Sequence, residues 1–322
     1  MKQPCPVTPS ERDASTKVAL KVDVDTKVGL LAGVRNLADL LGELGLKASF
    51  FIAMGPDHSG RALKRLFWPG FLRKQLSSGA ASAYGPITML YGLVLPGPII
   101  AEAAPGLFNR LIAEGHEVGL HGWDHVFWHD RLRGLSDTRT RRELDRAAGL
   151  FRAITGMDPA TFASPGWQIT GRALAAMAEM GITHVSCTRG RSPFRPLRRG
   201  RALPLVELPT TMPSMDEALS LPGVTPANVG QWLADQVRPA RLNVFTLHGE
   251  VEGRALLPAF RAFLTTLMAR GASFPRLVDA ALEAAASPLP AEEIVWGQVP
   301  QRAYEVSFQA SALPGIDGGL GR

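Results

Sequence analysis

Asp23 and Asp25 flank a single valine, His121 and His125 stand four residues apart, and His248 follows a strongly apolar run. Each pattern implies a chemistry. On a regular strand Asp23 and Asp25 point to one side, and two such carboxylates repel each other unless a cation or a shared proton relieves them. On a helical turn, residues four apart share a face. Two neutral imidazoles on one face suit a borderline divalent ion such as Zn²⁺, Co²⁺ or Mn²⁺. An ion held by His121, His125 and one of the two aspartates has the two-histidine, one-carboxylate arrangement, with open positions for water and substrate. The other aspartate is then free to act as a base. A lone H-x-x-x-H pair is more often two ordinary histidines, and a lone D-x-D is more often a solvated strand end. The accidental reading is hard to sustain once both patterns and His248 must be accidents together.

The elements that must position these residues alternate. Residues 18–24 read as a strand, 29–44 as a helix stopped by Gly45, and 47–53 as a second strand, a βαβ unit that implies a parallel sheet. Further on, strands are expected at 117–120, 160–163, 184–187, 205–208 and 242–247, with a short one at 272–274. Helices are expected at 106–114, 136–155, 170–180, 225–237, 256–270 and 276–286. Repeated βα units fit a closed barrel or an open doubly wound sheet. Asp23 and Asp25, His121, Ser164 and His248 all fall at strand C-terminal ends, which is the habit of a barrel. No G-x-G-x-x-G or Walker sequence follows the first strand, which argues against a nucleotide fold.

One stretch interrupts the rhythm. Between Asp57 and Glu102 there is no acidic residue, while Arg61, Lys64, Arg65, Arg73 and Lys74 are interleaved with Leu63, Leu66, Phe67, Trp68, Phe71, Leu72 and Leu76. Basic side chains mixed with Trp, Phe and Leu describe a segment in a membrane interface. A buried helical hairpin with its basic residues on the wet side is the competing reading, since Pro69 and Pro96 break any long stripe. A second basic run, 189–201, holds six arginines and no acid.

Composition bounds the rest. The chain has 322 residues, 46% of them hydrophobic and 20% charged, ample for a large core. Cys5 and Cys187 give no disulfide framework. The polar first residues do not read as a secretory signal, and no uninterrupted apolar run reaches the roughly 18 residues of a membrane span. The expectation is a cytoplasmic protein, free or lying on a membrane surface. A net charge of +6 favours anionic partners. Basic runs mixed with apolar blocks, on no recognisable module, argue against nucleic acid.

Val22-Asp-Val-Asp25, His121-Gly-Trp-Asp-His125, Phe162-Ala-Ser-Pro165 and Leu247-His248 occur in the order and spacing of the NodB-type polysaccharide deacetylase superfamily, which the chain resembles. Lys21 to Thr26, Gly55-Pro-Asp57, Ala80 to Gly85, Pro193 to Leu197 and His248-Gly-Glu-Val-Glu-Gly253 are similar to one branch of it. That branch comprises the deformylases of 4-deoxy-4-formamido-L-arabinose linked to undecaprenyl phosphate. The resemblance runs from about Val18 to about Leu289.

It implies a distorted (β/α) barrel of about seven parallel strands with the basic, apolar insertion after the second, and one divalent metal ion. It also implies roles: Asp23 as general base, Asp25, His121 and His125 as ligands, and His248 as general acid. The substrate expected is the lipid-linked formamido sugar, met at the cytoplasmic face of the inner membrane, against which residues 58–101 would hold an otherwise peripheral barrel. Residues 1–17 are expected to be flexible, 18–287 to form the barrel, and 288–322 to be a partly disordered tail. The rival readings are a deacetylase of an N-acetylated sugar or polysaccharide and a non-catalytic barrel that binds polyprenyl phosphates. Many superfamily members carry an arginine in the third motif that orients the base, where this chain has Ala163. Arg189 is a candidate replacement, or a group for a substrate phosphate. Trp167 suits a sugar face or a loop plug. Glu250 and Glu252 are candidates to back the site, to attract the product amine, or simply to face water.

Overall fold

The computed structural model describes residues 16–61, 87–300 and 302–313. Nine strands come before residue 250: β1 (Lys17–Val24), β2 (Ser49–Ile52), β3 (Glu117–Leu120), β4 (Thr161–Ala163), β5 (His184–Ser186), β6 (Arg195–Arg198), β7 (Arg201–Ala202), β8 (Val206–Glu207) and β9 (Leu242–His248). Three more follow: β10 (Ala291–Glu292), β11 (Ile294–Gln298) and β12 (Glu305–Gln309). Seven of these make one parallel sheet in the order β8-β5-β4-β3-β2-β1-β9. The sheet curls until the chain just beyond β8 meets its other edge, where the Thr211 and Met212 amides both donate to the Val244 carbonyl of β9. The barrel is therefore distorted, closed on one side by a short irregular seam.

Both faces of β1 are buried, as its run of Val, Ala and Leu requires in a parallel sheet. Helices Arg35–Glu43, Pro105–Ala113, Asp137–Thr155, Gly171–Glu179 and Leu257–Ala269 lay their apolar sides over the outside of the sheet, with Phe50, Phe108, Phe151, Phe162, Phe245, Phe260 and Phe263 wholly or almost wholly buried between. A smaller apolar cluster lies inside the barrel, where Ala19, Phe51, Ala163, Val206, Leu208 and Val244 meet Leu277, Ala280 and Ala281 of helix Leu277–Ala285.

Most expected elements appear within a residue or two of their expected ends. Four differ. The helix expected over 29–44 begins as a π-helical stretch, Gly29–Val34, before becoming α-helical at Arg35–Glu43. A Cβ on Gly33 would stand 1.8 Å from the Gly249 carbonyl oxygen, so only glycine allows this element to press against the loop after β9. The helix expected over 225–237 shrinks to Val229–Ala234, and 272–274 supplies only a bridge from Ser273 to Lys17. The arginine-rich run folds as the β6–β7 hairpin. Beyond Pro288, where the sequence suggests partial disorder, β10 pairs with β6, and β11 and β12 form an antiparallel hairpin. Trp296, Val299, Val306 and Phe308 supply its contacts with Arg133 and Trp167. Within the insertion, Leu63 to Leu76, with Lys64, Arg65, Arg73 and Lys74, and the Ala80–Gly85 motif lie outside the described residues, as do 1–15 and 314–322.

Candidate active site

The end of β1 and the turn after β3 build the centre. Asp25 is the first residue beyond β1, and the β1–β9 register sets Asp23 directly beside His248. His121 follows the last residue of β3, and its amide donates to the Ile52 carbonyl. Gly122 then adopts φ +80°, a left-handed turn that a glycine makes without steric cost. Asp124 caps the next helix, accepting from the Phe127 amide, and His125 is that helix's first residue. The two imidazoles therefore converge through strand, turn and helix start, not through one turn of helix as the spacing alone suggests. Their ring centroids are 5.3 Å apart.

Asp25, His121 and His125 each aim one ligand atom at a common point, all within 4.8 Å of one another. The Asp25 oxygens lie 3.1 Å from His121 Nε2 and 3.3 Å from His125 Nε2. His121 Nδ1 is 2.9 Å from the Ala163 carbonyl oxygen, a contact only a protonated Nδ1 can satisfy, which leaves Nε2 with its lone pair toward the centre. Asp25 Oδ1 is buried without a hydrogen-bond partner. Such an orphaned oxygen costs on the order of 1–3 kcal/mol unless something outside the chain satisfies it. The donor set and the orphaned oxygen fit a divalent cation. Burial alone would raise the Asp25 pKa, but the His125 and His121 imidazoles outweigh it and hold the acid well below the usual carboxylate range.

Around this centre the sequence candidates take distinct places. Burial alone would strip the His248 imidazole of its proton, yet the carboxylates of Asp25, Glu252, Asp216 and Asp23 more than offset that and hold its pKa above the usual value. Glu252 accepts from the His248 amide at 2.7 Å, and burial, tempered by His248, raises its pKa to about 7. Glu250 is wholly buried beside Gly29 of the π-helical stretch, with neither oxygen hydrogen-bonded among the described residues. Burial first, then the Asp25 charge, pushes its pKa well up. Both glutamates thus lie inside the protein, and the water-facing reading is corrected. Trp167 is packed inside its loop. It is 2% exposed, its Nε1 donates to Thr210 Oγ1 at 2.9 Å, and three cations, Lys21, Arg189 and Arg302, surround its ring. Arg189 pairs with Glu217 at 3.2 Å.

Three contributors escape the sequence reading. Lys21, 0% exposed, lies 3.1 Å from Asp23 Oδ2. Its signal was present, because Lys-x-Asp alternates and places Lys21 and Asp23 on one side of β1, with Asp25 just beyond the strand. Arg302, between β11 and β12, reaches Glu217 at 2.6 Å and Asp216 at 3.5 Å. Asp216 in turn acts on His248. A Gly- and Pro-rich tail carries no periodic signal that could have placed either contact.

The sequence and the fold are similar to those of known proteins. The polysaccharide deacetylase family matches residues 12–185. A Shewanella sediminis protein named "Probable 4-deoxy-4-formamido-L-arabinose-phosphoundecaprenol deformylase ArnD" is 33% identical over 92% of this chain and 96% of its own. A Wigglesworthia glossinidia brevipalpis protein of the same name is 27% identical over 78% and 88%. A crystal structure from Mycobacterium smegmatis, assigned to the polysaccharide deacetylases, superposes with a TM-score of 0.63 over 92% of this chain and 99% of that one, at 19% identity. This chain belongs to the polysaccharide deacetylase family and stands within it beside these two relatives.

Proposed function

We propose that this protein hydrolyses the formamide of 4-deoxy-4-formamido-L-arabinose carried on undecaprenyl phosphate, releasing formate and the 4-amino sugar lipid. The observation that carries the reading is the convergence of Asp25, His121 and His125 beside an in-register Asp23–His248 pair, in a chain 33% identical to a protein of that name. When bound by Asp25, His121 and His125, a divalent ion such as Zn²⁺, Co²⁺ or Mn²⁺ supplies Lewis acidity for the formyl carbonyl and lowers the pKa of water. Asp23 takes the proton from the attacking water. His248, whose charged form the surrounding carboxylates favour, gives a proton to the departing amine as the C–N bond breaks. Formate leaves with the carbon and the water oxygen.

A polyprenyl substrate requires the barrel mouth to approach a bilayer, and the described part of the insertion supports this. Ile87, Leu90, Leu93, Val94 and Leu95 are all more than 40% exposed. This apolar rim is tied to the centre: Gly92 and Gly97 press on His58, and His58 Nδ1 lies 2.7 Å from Asp124 Oδ2, next to His125. We place the rim, with the exposed Arg61 beside it, against an anionic leaflet at the cytoplasmic face of the inner membrane. Among the described residues no helix is long and apolar enough to cross a membrane. The test is to offer purified protein the formylated and the acetylated sugar lipids side by side. Formate release without acetate release is expected. Acetate release at an equal or greater rate would make the protein a deacetylase.

A further inference from the structure

We propose that Lys21 is the positioning residue for Asp23: its buried ammonium holds one carboxylate oxygen of the base and leaves the other free to take the proton. The inference rests on the hydrolase reading above and adds a residue to it. Lys21 Nζ lies 3.1 Å from Asp23 Oδ2, an ion pair between a wholly buried ammonium and a nearly buried carboxylate. Nζ makes no hydrogen bond among the described residues, so this ion pair is what holds it to the carboxylate. Asp23 Oδ1, 3.9 Å from the His121 ring, has no hydrogen-bond partner among the described residues. The base thus has one oxygen occupied and one unoccupied.

The ammonium is itself confined. The Trp167 ring centroid lies 5.4 Å from Nζ, and that indole is fixed by its bond to Thr210 Oγ1, which meets Thr246 Oγ1 at 2.7 Å. Beyond the ring, Arg189 and Arg302 both pair with Glu217, so the indole has little room to swing. Burying an ammonium and a carboxylate together is costly, and replacing such a pair as a whole by packed apolar side chains is often neutral or stabilising. The fold gains little from a charge here. A base that must keep one orientation gains a great deal, because misplacement by about 1 Å can cost on the order of 10²-fold in rate. Arg189, the other basic candidate, is engaged by Glu217, which leaves Lys21 as the cation beside Asp23.

The experiment compares Lys21→Met, Lys21→Gln and Lys21→Arg with the wild type. The expected result for Met and Gln is a kcat lower by roughly 10²-fold with KM within about twofold and bound metal unchanged by mass spectrometry, whereas Arg, which keeps the cation, stays within about tenfold of wild type. Crystal structures of the same variants read the position directly, with Asp23 turned away from its wild-type rotamer in Met and Gln and kept in Arg. An unmoved Asp23 in the Met and Gln variants, or a kcat equal to wild type, would overturn the proposal, as would an equal loss in Arg. Wild-type protein that releases no formate would instead sink the functional reading, and the crystal structures would still decide whether Lys21 places Asp23.

Discussion

The two ends of the barrel each hold a buried carboxylate among histidines, and they differ in what is left over. At the N-terminal end of the strands, Glu117 accepts from Ser49 Oγ and the Val278 amide and lies 2.5 Å from His184 Nε2, so both of its oxygens are satisfied. It ties β3 and β5 to helix Leu277–Ala285, which plugs that end. At the C-terminal end, Asp23 Oδ1, Asp25 Oδ1, Glu252 Oε1 and both oxygens of Glu250 are buried without hydrogen-bond partners among the described residues. The same residue types thus make a closed structural knot at one end and an unsatisfied cradle at the other. Satisfaction, not composition, separates a carboxylate that holds the fold from one with an oxygen left over for other chemistry.

Substitutions at the two ends should separate cleanly. The largest effect is expected from His121→Ala, which should remove bound metal and abolish activity; metal retained at wild-type stoichiometry would break the assignment of the centre. Asp23→Asn and His248→Ala should each keep the metal and lose roughly 10²-fold or more in kcat, the scale of a general base or acid. Metal loss in either variant would reassign that residue as a ligand. Glu117→Ala should do the opposite. Removing one partner of a buried pair costs about 3–5 kcal/mol, so its melting temperature should fall by about 5–15 °C while the folded fraction binds metal normally. Metal loss in folded Glu117→Ala protein would blur the contrast between the ends.

Between them lies Glu207, whose Oε1 accepts from the Cys187 and Thr188 amides and from Thr188 Oγ1. Burial, only partly offset by those bonds and by Lys21, raises its pKa to about 7 from 4.5. The folded state then holds a proton that the unfolded chain releases, so the associated stability is complete below about pH 4.5 and is lost as pH rises through about 7. Glu207→Gln should flatten that decline, a difference on the order of 2–3 kcal/mol measured by denaturant unfolding at pH 5 and pH 7.5. Parallel pH profiles in both proteins would show that Glu207 is ionised throughout. The smallest effect concerns the rim: Leu93→Gln with Val94→Gln should weaken binding to anionic vesicles several-fold in a flotation assay. Hydrolysis of a short, soluble formamido-sugar phosphate should be unaffected, and equal loss on both substrates would tie the rim to folding.

What was legible in the sequence follows from range. Strands and helices carry their own periodicity, so β1, β3 and helix Asp137–Thr155 were readable almost to the residue. The site residues were readable because they sit at strand ends with recognisable spacing. Contacts made across the barrel were not. The C-terminal hairpin, with Arg302 delivered to Glu217, has no local pattern, and its order comes from packing on Trp167. The π-helical start at Gly29 depends on a loop more than two hundred residues away. Lys21 lay within reach of simple alternation, but a basic residue in a buried strand suggests an exposed edge until its partner Asp23 is seen beside it.

Formate release from the formamido-sugar lipid is the sharpest test of metal-dependent hydrolysis at the Asp25–His121–His125 centre. Purified protein should release formate and the amino-sugar lipid in equal amounts. The reaction should stop when a chelator strips the protein and return when Zn²⁺, Co²⁺ or Mn²⁺ is restored. Formate release that persists in protein shown by elemental analysis to be free of metal would rule out a metal-dependent reaction, and a metal-loaded protein that releases none would rule out deformylation.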